Sequence, residues 1–163
     1  MLFRSESGCV SVFVGMESLD EDALDETNKP FNRVQKFARE IKMFHDYGIM
    51  VNPGIVFGFD SDDVTVFERA VDFLTKNQVE LAYFNVLTPL PGTALFERFE
   101  KAGRIFDKNW AKYDGKHVVF YPSRMPPSNY KTASTGPTIN SIRSLQSGNV
   151  CPERVSGFFL GLR

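Results

Sequence analysis

Three segments of this chain share one layout, in which an apolar run is followed by polar residues with glycine or proline and then by helical sequence. They cover residues 10–18, 49–60 and 81–93. Such a repeat is typical of consecutive strands in a parallel β/α sheet or barrel, where ligands bind just past the carboxyl ends of the strands. We therefore expect functional residues at 17–18, 57–60 and 88–92.

The strands themselves are predicted from residue type and alternation. Val10, Val12 and Val14 alternate with other side chains, and β-branched residues fit a pleated surface. Residues 50–59 are apolar apart from Asn52 and the glycines, which favours a strand buried on both faces.

Helices are predicted between and after the strands. Apolar residues recur at three- and four-residue steps in residues 34–45, and a buried stripe follows the second strand. A third helix is predicted for residues 94–101, ending at Gly103. Ser61 and three nearby carboxylates suit the start of the second of these helices, and we interpret them as capping residues rather than a cation site. The carboxylates are Asp60, Asp62 and Asp63.

Parallel strands joined by helices predict an α/β fold, namely a partial (β/α) barrel of about three to four parallel strands with flanking helices. We assign this unit to residues 1–122 and an irregular tail to residues 123–163, which are rich in Ser, Thr, Pro and Gly. Since a complete barrel takes roughly 200 residues or more, we expect the carboxyl-side part of a larger barrel. Its first strand would then have an unpaired edge, through which the chain could associate with itself.

Composition excludes some partners. The 163 residues carry a formal charge of −1, which gives no electrostatic reason to expect nucleic acid or an acidic membrane surface. No apolar run approaches the roughly 20 residues of a membrane helix, and we expect a cytoplasmic protein.

Five motifs, taken in order, resemble one known family. They read GCVSVFVGMES, NK at 28–29, GIMVNPGIVFGFDSDD, LTPLPGT and GRIFDKNWAKYDGKHVVFYPSRM, and they span residues 8 to 125. This series resembles the second half of the barrel of a radical S-adenosylmethionine (SAM) enzyme. The most similar subgroup carries an amino-terminal cobalamin-binding domain.

The resemblance implies that SAM is cleaved reductively at a [4Fe–4S] cluster to start radical chemistry. Family members hold this cluster with a CxxxCxxC loop, whereas the only cysteines here are Cys9 and Cys151. We therefore assign no metal ligand or catalytic residue and expect the isolated chain to be inactive. The resemblance implies cobalamin only for full-length proteins, because this sequence includes no domain to bind it. The substrate is not encoded in these motifs.

Residue roles follow where positions match the family. Glu17 resembles the residue that hydrogen-bonds the ribose hydroxyls of SAM, and a carboxylate accepts from both. Lys29 lies where the family places a basic residue near the SAM carboxylate, although a solvated lysine is the alternative. Asn52 and Gly54 would face the barrel cavity, unless Asn52 is simply packed in its strand. Thr88, before PLPGT, would lie in the turn beside the adenine.

Two other functions stay open at this stage. A different β/α enzyme could use Glu17 and Asp60 as acid and base, which would require a carboxylate with a raised pKa in a formed pocket. Alternatively, the chain is a non-catalytic interaction module. We predict that His45 and His117 are structural, because neither has a cysteine or carboxylate partner at ligand spacing.

Overall fold

The computed structural model describes residues 6–130 apart from 28, 30 and 31. Its strands are β1 (Ser11–Glu17), β2 (Met50–Phe57) and β3 (Tyr83–Val86). Its helices are α1 (Glu21–Glu26), α2 (Val34–His45), α3 (Val66–Lys76) and α4 (Ala94–Lys101). Two short 3-10 helices, Trp110–Lys112 and Pro127–Tyr130, follow. The predicted tail beyond residue 130 lies outside the described residues.

The three strands form one parallel sheet in the order β1-β2-β3. Ser11 pairs with Met50 and Gly15 with Gly54, while Gly54 also pairs with Tyr83 of β3. The predicted parallel β/α architecture is therefore confirmed. The carboxyl ends of all three strands lie at the same edge of the sheet, because parallel strands run in one direction.

The two faces of the sheet have different surroundings. The outer face, which carries Val51, Ile55 and Phe57, is buried in the hydrophobic core with residues of the helices. The opposite, inner face alternates with it along each strand. Its side chains belong to Phe13, Gly15, Asn52, Gly54, Val56, Tyr83 and Asn85.

The prediction that the second strand is buried on both faces is wrong. Asn52 and Val56 are half-buried, and Met50 at the start of β2 is 43% exposed. On neighbouring strands Phe13 is 65% and Tyr83 36% exposed. Among the described residues no layer of helices covers this inner face, so its apolar side chains remain accessible.

The predicted caps of α3 are also wrong. The helix begins at Val66, and its N-cap residue Thr65 makes no side-chain capping bond. Asp63 instead accepts hydrogen bonds from the backbone N–H and the hydroxyl of Thr65, which forms a local turn before the helix. Asp62 turns back toward the end of β2, as described below.

A segment after α4 is fastened across the carboxyl edge of the sheet. Arg104 binds both carboxylate oxygens of Asp60 at 3.1 and 2.7 Å, and the Ser123 hydroxyl donates to Asp60 at 2.7 Å. Met125 and Tyr130 are buried in the core. Packing therefore continues past the predicted boundary at residue 122.

None of the described helices combines the length and the apolar character needed to cross a bilayer.

Candidate SAM site

A cavity of about 280 Å³ opens at the carboxyl ends of the strands. Its walls combine apolar side chains with two ion pairs, Glu17 with Lys29 and Glu26 with Arg98. In the second pair, Nη2 of Arg98 lies 3.1 Å from Oε2 of Glu26. The apolar lining consists of Val56, Phe59, Leu87 and Leu95. Glu17 and Phe59 belong to the predicted segments 17–18 and 57–60, whereas none of residues 88–92 lines this cavity.

Glu17 is positioned by an irregularity at the end of β1. The strand pairing shifts between Gly15 and Glu17, and Glu17 has a φ of 65°, which is unusual for a residue with a side chain. Its carboxylate folds back over Gly15, where a Cβ atom would lie 2.6 Å from Oε1. Glycine is therefore needed at position 15 for this placement. The Lys29 ammonium donates to the same oxygen.

Asn32 secures this irregular strand end, and the sequence analysis missed it. It is 7% exposed, and its side-chain N–H donates to the backbone carbonyls of Gly15 and Met16 at 3.1 and 3.4 Å. Since the strand shift leaves backbone groups without ladder partners, a buried amide is a suitable donor. Only its position shortly after Lys29 could have suggested this role.

The other predicted site residues do not line the cavity. Asn52 and Gly54 lie on the inner face of β2, and the space above Gly54 is filled by the ring of Phe13, 2.8 Å from where a Cβ would be. The Thr88 hydroxyl donates to the carbonyl of Val86 at 3.0 Å. The structure thus brings Glu17 and Lys29 together at the cavity, whereas the other three residues are not part of its lining. Roles for Asn52, Gly54 and Thr88 in cofactor binding stay predictions.

Asp60 is unsuited to acid–base work. Burial opposes its ionisation, but hydrogen bonds from Arg104 and Ser123 outweigh this effect and lower the pKa of Asp60. A general acid or base near neutral pH needs a carboxylate with a raised pKa. The alternative enzyme with Glu17 and Asp60 as its pair therefore lacks this requirement at Asp60.

Asp62 holds the loop that follows β2. It is 1% exposed, and its Oδ2 accepts the backbone N–H groups of Gly58 and Phe59 at 2.7 and 3.1 Å. Its other oxygen, Oδ1, is buried with no hydrogen-bond partner. Burial raises the pKa of Asp62 to about 6, and the two N–H groups counteract only part of this effect. Asp62 thereby fixes Phe59, one wall of the cavity.

Raising the pH should cost stability through Asp62. Because its folded pKa is about 6 against a reference of 3.8, the folded state holds the proton more tightly. Asp62 therefore stabilises the fold most below about pH 4, and this contribution of roughly 2 to 3 kcal/mol is lost as the pH rises through about 6. Asp62→Asn keeps an oxygen acceptor and removes the titration. In urea unfolding, the free energy of unfolding of the variant should rise relative to that of the wild type by this amount between pH 4 and 7. A difference that does not change with pH would contradict the assignment.

Asp114 and His117 contact each other in the loop after the first 3-10 helix. The Nδ1 atom of His117 is 3.0 Å from both carboxylate oxygens of Asp114. Burial opposes ionisation of Asp114, but the N–H of Lys116 and the His117 ring together lower the pKa of Asp114 to about 2. The prediction that His117 has no carboxylate partner is wrong. The sequence showed only an aspartate three residues earlier in an irregular loop, which is not a regular ligand spacing.

The residues present fit one implied cofactor and not the other. Glu17 beside apolar walls suits the ribose and adenine of SAM, since a carboxylate accepts from hydroxyls and apolar walls suit a flat base. An iron–sulfur cluster needs cysteine ligands. Among the described residues no group of three or more metal-ligating side chains occurs, and Cys9 is the one free cysteine. These residues do not fit a cluster.

Comparison with known proteins finds several that are similar to this chain. No protein-family model matches the chain. It is 38% identical over 119 residues to bacteriochlorophyllide d C-12(1)-methyltransferase of Chlorobaculum tepidum, covering 73% of this chain and 26% of that protein. It is 28% identical over 123 residues to bacteriochlorophyllide d C-8(2)-methyltransferase of the same organism, covering 75% of this chain and 27% of that protein. It is 33% identical over 104 residues to hopanoid C-2 methylase of Rhodopseudomonas palustris, covering 64% of this chain and 20% of that protein.

The chain thus spans between a fifth and about a quarter of the length of these curated relatives. These three proteins are named as methyltransferases or as a methylase. Over the part of the chain that they cover, these matches confirm its resemblance to the radical SAM superfamily.

Proposed function

We propose that this chain supplies the nucleoside-binding side of the SAM site in a radical SAM methyltransferase. The observation that carries the proposal is the Glu17 carboxylate at the cavity, folded over Gly15 and paired with Lys29. In this role Glu17 accepts hydrogen bonds from the ribose hydroxyls. Lys29 holds the carboxylate in place through their ion pair, and the apolar walls exclude water from one side of the base.

When bound at a cluster, SAM supplies the radical that starts the reaction. The residues of this chain bind and orient the nucleoside and shield it from water. The cysteine ligands of a cluster would be residues other than those in this sequence. The same holds for the residues that bind cobalamin, if the complete enzyme uses it.

We propose a tetrapyrrole as the substrate class. Two of the relatives are named for methylation of bacteriochlorophyllide d, and one of them is the 38% identical protein. The inner face adds a physical argument, because Phe13 and Tyr83 pack edge to face at 5.5 Å and remain accessible. Flat macrocycles bind well against such aromatic surfaces. A hopanoid is the second candidate, favoured only by the 33% identical methylase.

Replacing Gly15 with alanine tests the placement of Glu17. The new Cβ would lie 2.6 Å from Oε1, so the carboxylate must leave its position while the backbone, which lacks a positive φ there, can stay. We expect SAM affinity to fall by roughly five- to tenfold with a change in unfolding free energy below about 1 kcal/mol. Equilibrium dialysis with SAM and urea unfolding measure the two quantities. Unchanged SAM affinity would show that this placement is not needed for binding.

Anaerobic reconstitution of the 163-residue chain with iron and sulfide should give no [4Fe–4S] absorbance. Three cysteine thiolates are needed to hold such a cluster in this family, and the sequence contains two cysteines. SAM binding should be unaffected by the treatment. A stable cluster spectrum that survives gel filtration would refute the proposed division of cofactor binding.

A further inference from the structure

We infer that His117 is an axial ligand for the central metal ion of a metallated tetrapyrrole, with Asp114 as the residue that orients it. The inference rests on the proposed tetrapyrrole substrate and adds the atom that would bind it. Bacteriochlorophyllides carry Mg²⁺ at the centre of the macrocycle, and this ion accepts a nitrogen ligand from one side.

The pair has the arrangement that metal-binding histidines share. Such a histidine usually donates one ring N–H to a carboxylate, which fixes the ring and its tautomer and makes the other nitrogen more basic. Nδ1 of His117 faces both oxygens of Asp114 at 3.0 Å, so the neutral ring carries its proton on Nδ1. Nε2 then has a free lone pair. The His117 side chain is 47% exposed, which leaves it accessible to a ligand.

Asp114 is itself held firmly. Its Oδ1 accepts the backbone N–H groups of Lys116 at 2.9 Å and of His117 at 3.1 Å. The carboxylate, the loop backbone and the imidazole therefore form one closed unit.

The loop lies against the inner face of the sheet. The carbonyl of Gly115 accepts the backbone N–H of Val86 at 2.6 Å, and a Cβ on Gly115 would lie 3.3 Å from Oδ1 of Asn85. Asn85 pairs with Val56, a wall of the cavity, so the two side chains share a face. The loop that carries the pair is thus hydrogen-bonded to β3, the neighbour of the strand whose Val56 lines the cavity.

Accessible aromatic side chains lie in the same segment of the chain as His117 and on the inner face of the sheet. Trp110, in the first 3-10 helix, is 55% exposed. Its ring packs edge-on against that of Tyr113, with 4.8 Å between the ring centroids. Tyr83 precedes Asn85 by two residues on the inner face. A macrocycle held by its metal ion could also stack on these aromatic rings, because the macrocycle and the rings are both flat and largely apolar.

The test compares magnesium protoporphyrin IX with metal-free protoporphyrin IX in absorbance titrations of the 163-residue chain. We expect the wild type to bind the magnesium form roughly tenfold more tightly, with the spectral shift of a nitrogen ligand. His117→Gly should abolish this preference and leave the metal-free form unaffected. Added imidazole should restore the preference in His117→Gly, since it can replace the missing ring. Asp114→Asn should reduce the preference by roughly threefold or more, and the neighbouring Lys116→Ala should not change it.

Three outcomes would overturn the inference: no binding of the magnesium form, no preference for it in the wild type, or a preference that persists in His117→Gly. SAM titration of the same proteins separates this result from the proposed cofactor role. Loss of the metal preference with SAM binding intact refutes the ligand assignment alone. Metal-dependent binding through His117 without SAM binding refutes the cofactor role alone.

Discussion

Replacing Gly58 with alanine is expected to lower the free energy of unfolding by about 2 to 4 kcal/mol. Gly58 follows β2 with a φ of +115°, a conformation that residues with side chains rarely adopt. An added Cβ would also lie 3.2 Å from Cζ of Phe120 and 3.3 Å from Cβ of Leu87. Backbone strain and crowding therefore act together at this position. Urea unfolding of the variant measures the loss.

Gly103→Ala is the matched control for Gly58→Ala. Gly103 also has a positive φ, of +65°, but no atom lies within 4 Å of its potential Cβ. This variant should lose only about 1 kcal/mol, the cost of the left-handed conformation alone. If Gly58→Ala were no less stable than Gly103→Ala, the packing of Phe120 and Leu87 on the end of β2 would not limit this loop.

Replacing Glu17 with glutamine is expected to weaken SAM binding by roughly 10- to 100-fold. A hydrogen bond to a charged group contributes about 1.5 to 3 kcal/mol, and tenfold in affinity corresponds to about 1.4 kcal/mol. The amide has one acceptor oxygen where the carboxylate has two, and it also loses the ion pair with Lys29. Isothermal titration with SAM measures the effect.

Glu68→Gln is the control for the loss of one negative charge. Glu68 lies exposed in the first turn of α3 and does not line the cavity. Its SAM affinity should stay within about twofold of the wild type, since distant exposed charges are screened by salt. Equal losses in both variants would assign the effect to net charge rather than to Glu17.

Local sequence patterns predicted the sheet well because each strand carries its own signal. The alternating valines of β1 and the apolar run of β2 indicated strands without any knowledge of their neighbours. The inner face was misjudged for the same reason, since an apolar run does not reveal which layers cover it. The six-residue helix α1 was missed, because Ala23 and Leu24 are its only buried residues and six residues are too few for a periodic pattern.

The candidate site was predicted in part. The position of Glu17 at the end of a strand indicated its place at the carboxyl edge, but its ion pair with Lys29 depends on the path of the chain after β1. Asp62 was misread as a cap, since a carboxylate before a helix can bond either to that helix or to the preceding loop. His117 was misread because the Asp114 contact depends on the turn between them. These contacts arise from loop geometry, which has no sequence period.

A thermodynamic cycle tests most directly whether Glu17 binds the ribose. Adenosine and 2′,3′-dideoxyadenosine, which lacks both hydroxyls, would compete with SAM for the wild-type chain and for Glu17→Gln. The wild type should prefer adenosine by roughly 10-fold or more, and Glu17→Gln, which keeps one acceptor oxygen, should lose most of this preference. An adenosine preference of the same size in both proteins would contradict the role given to Glu17.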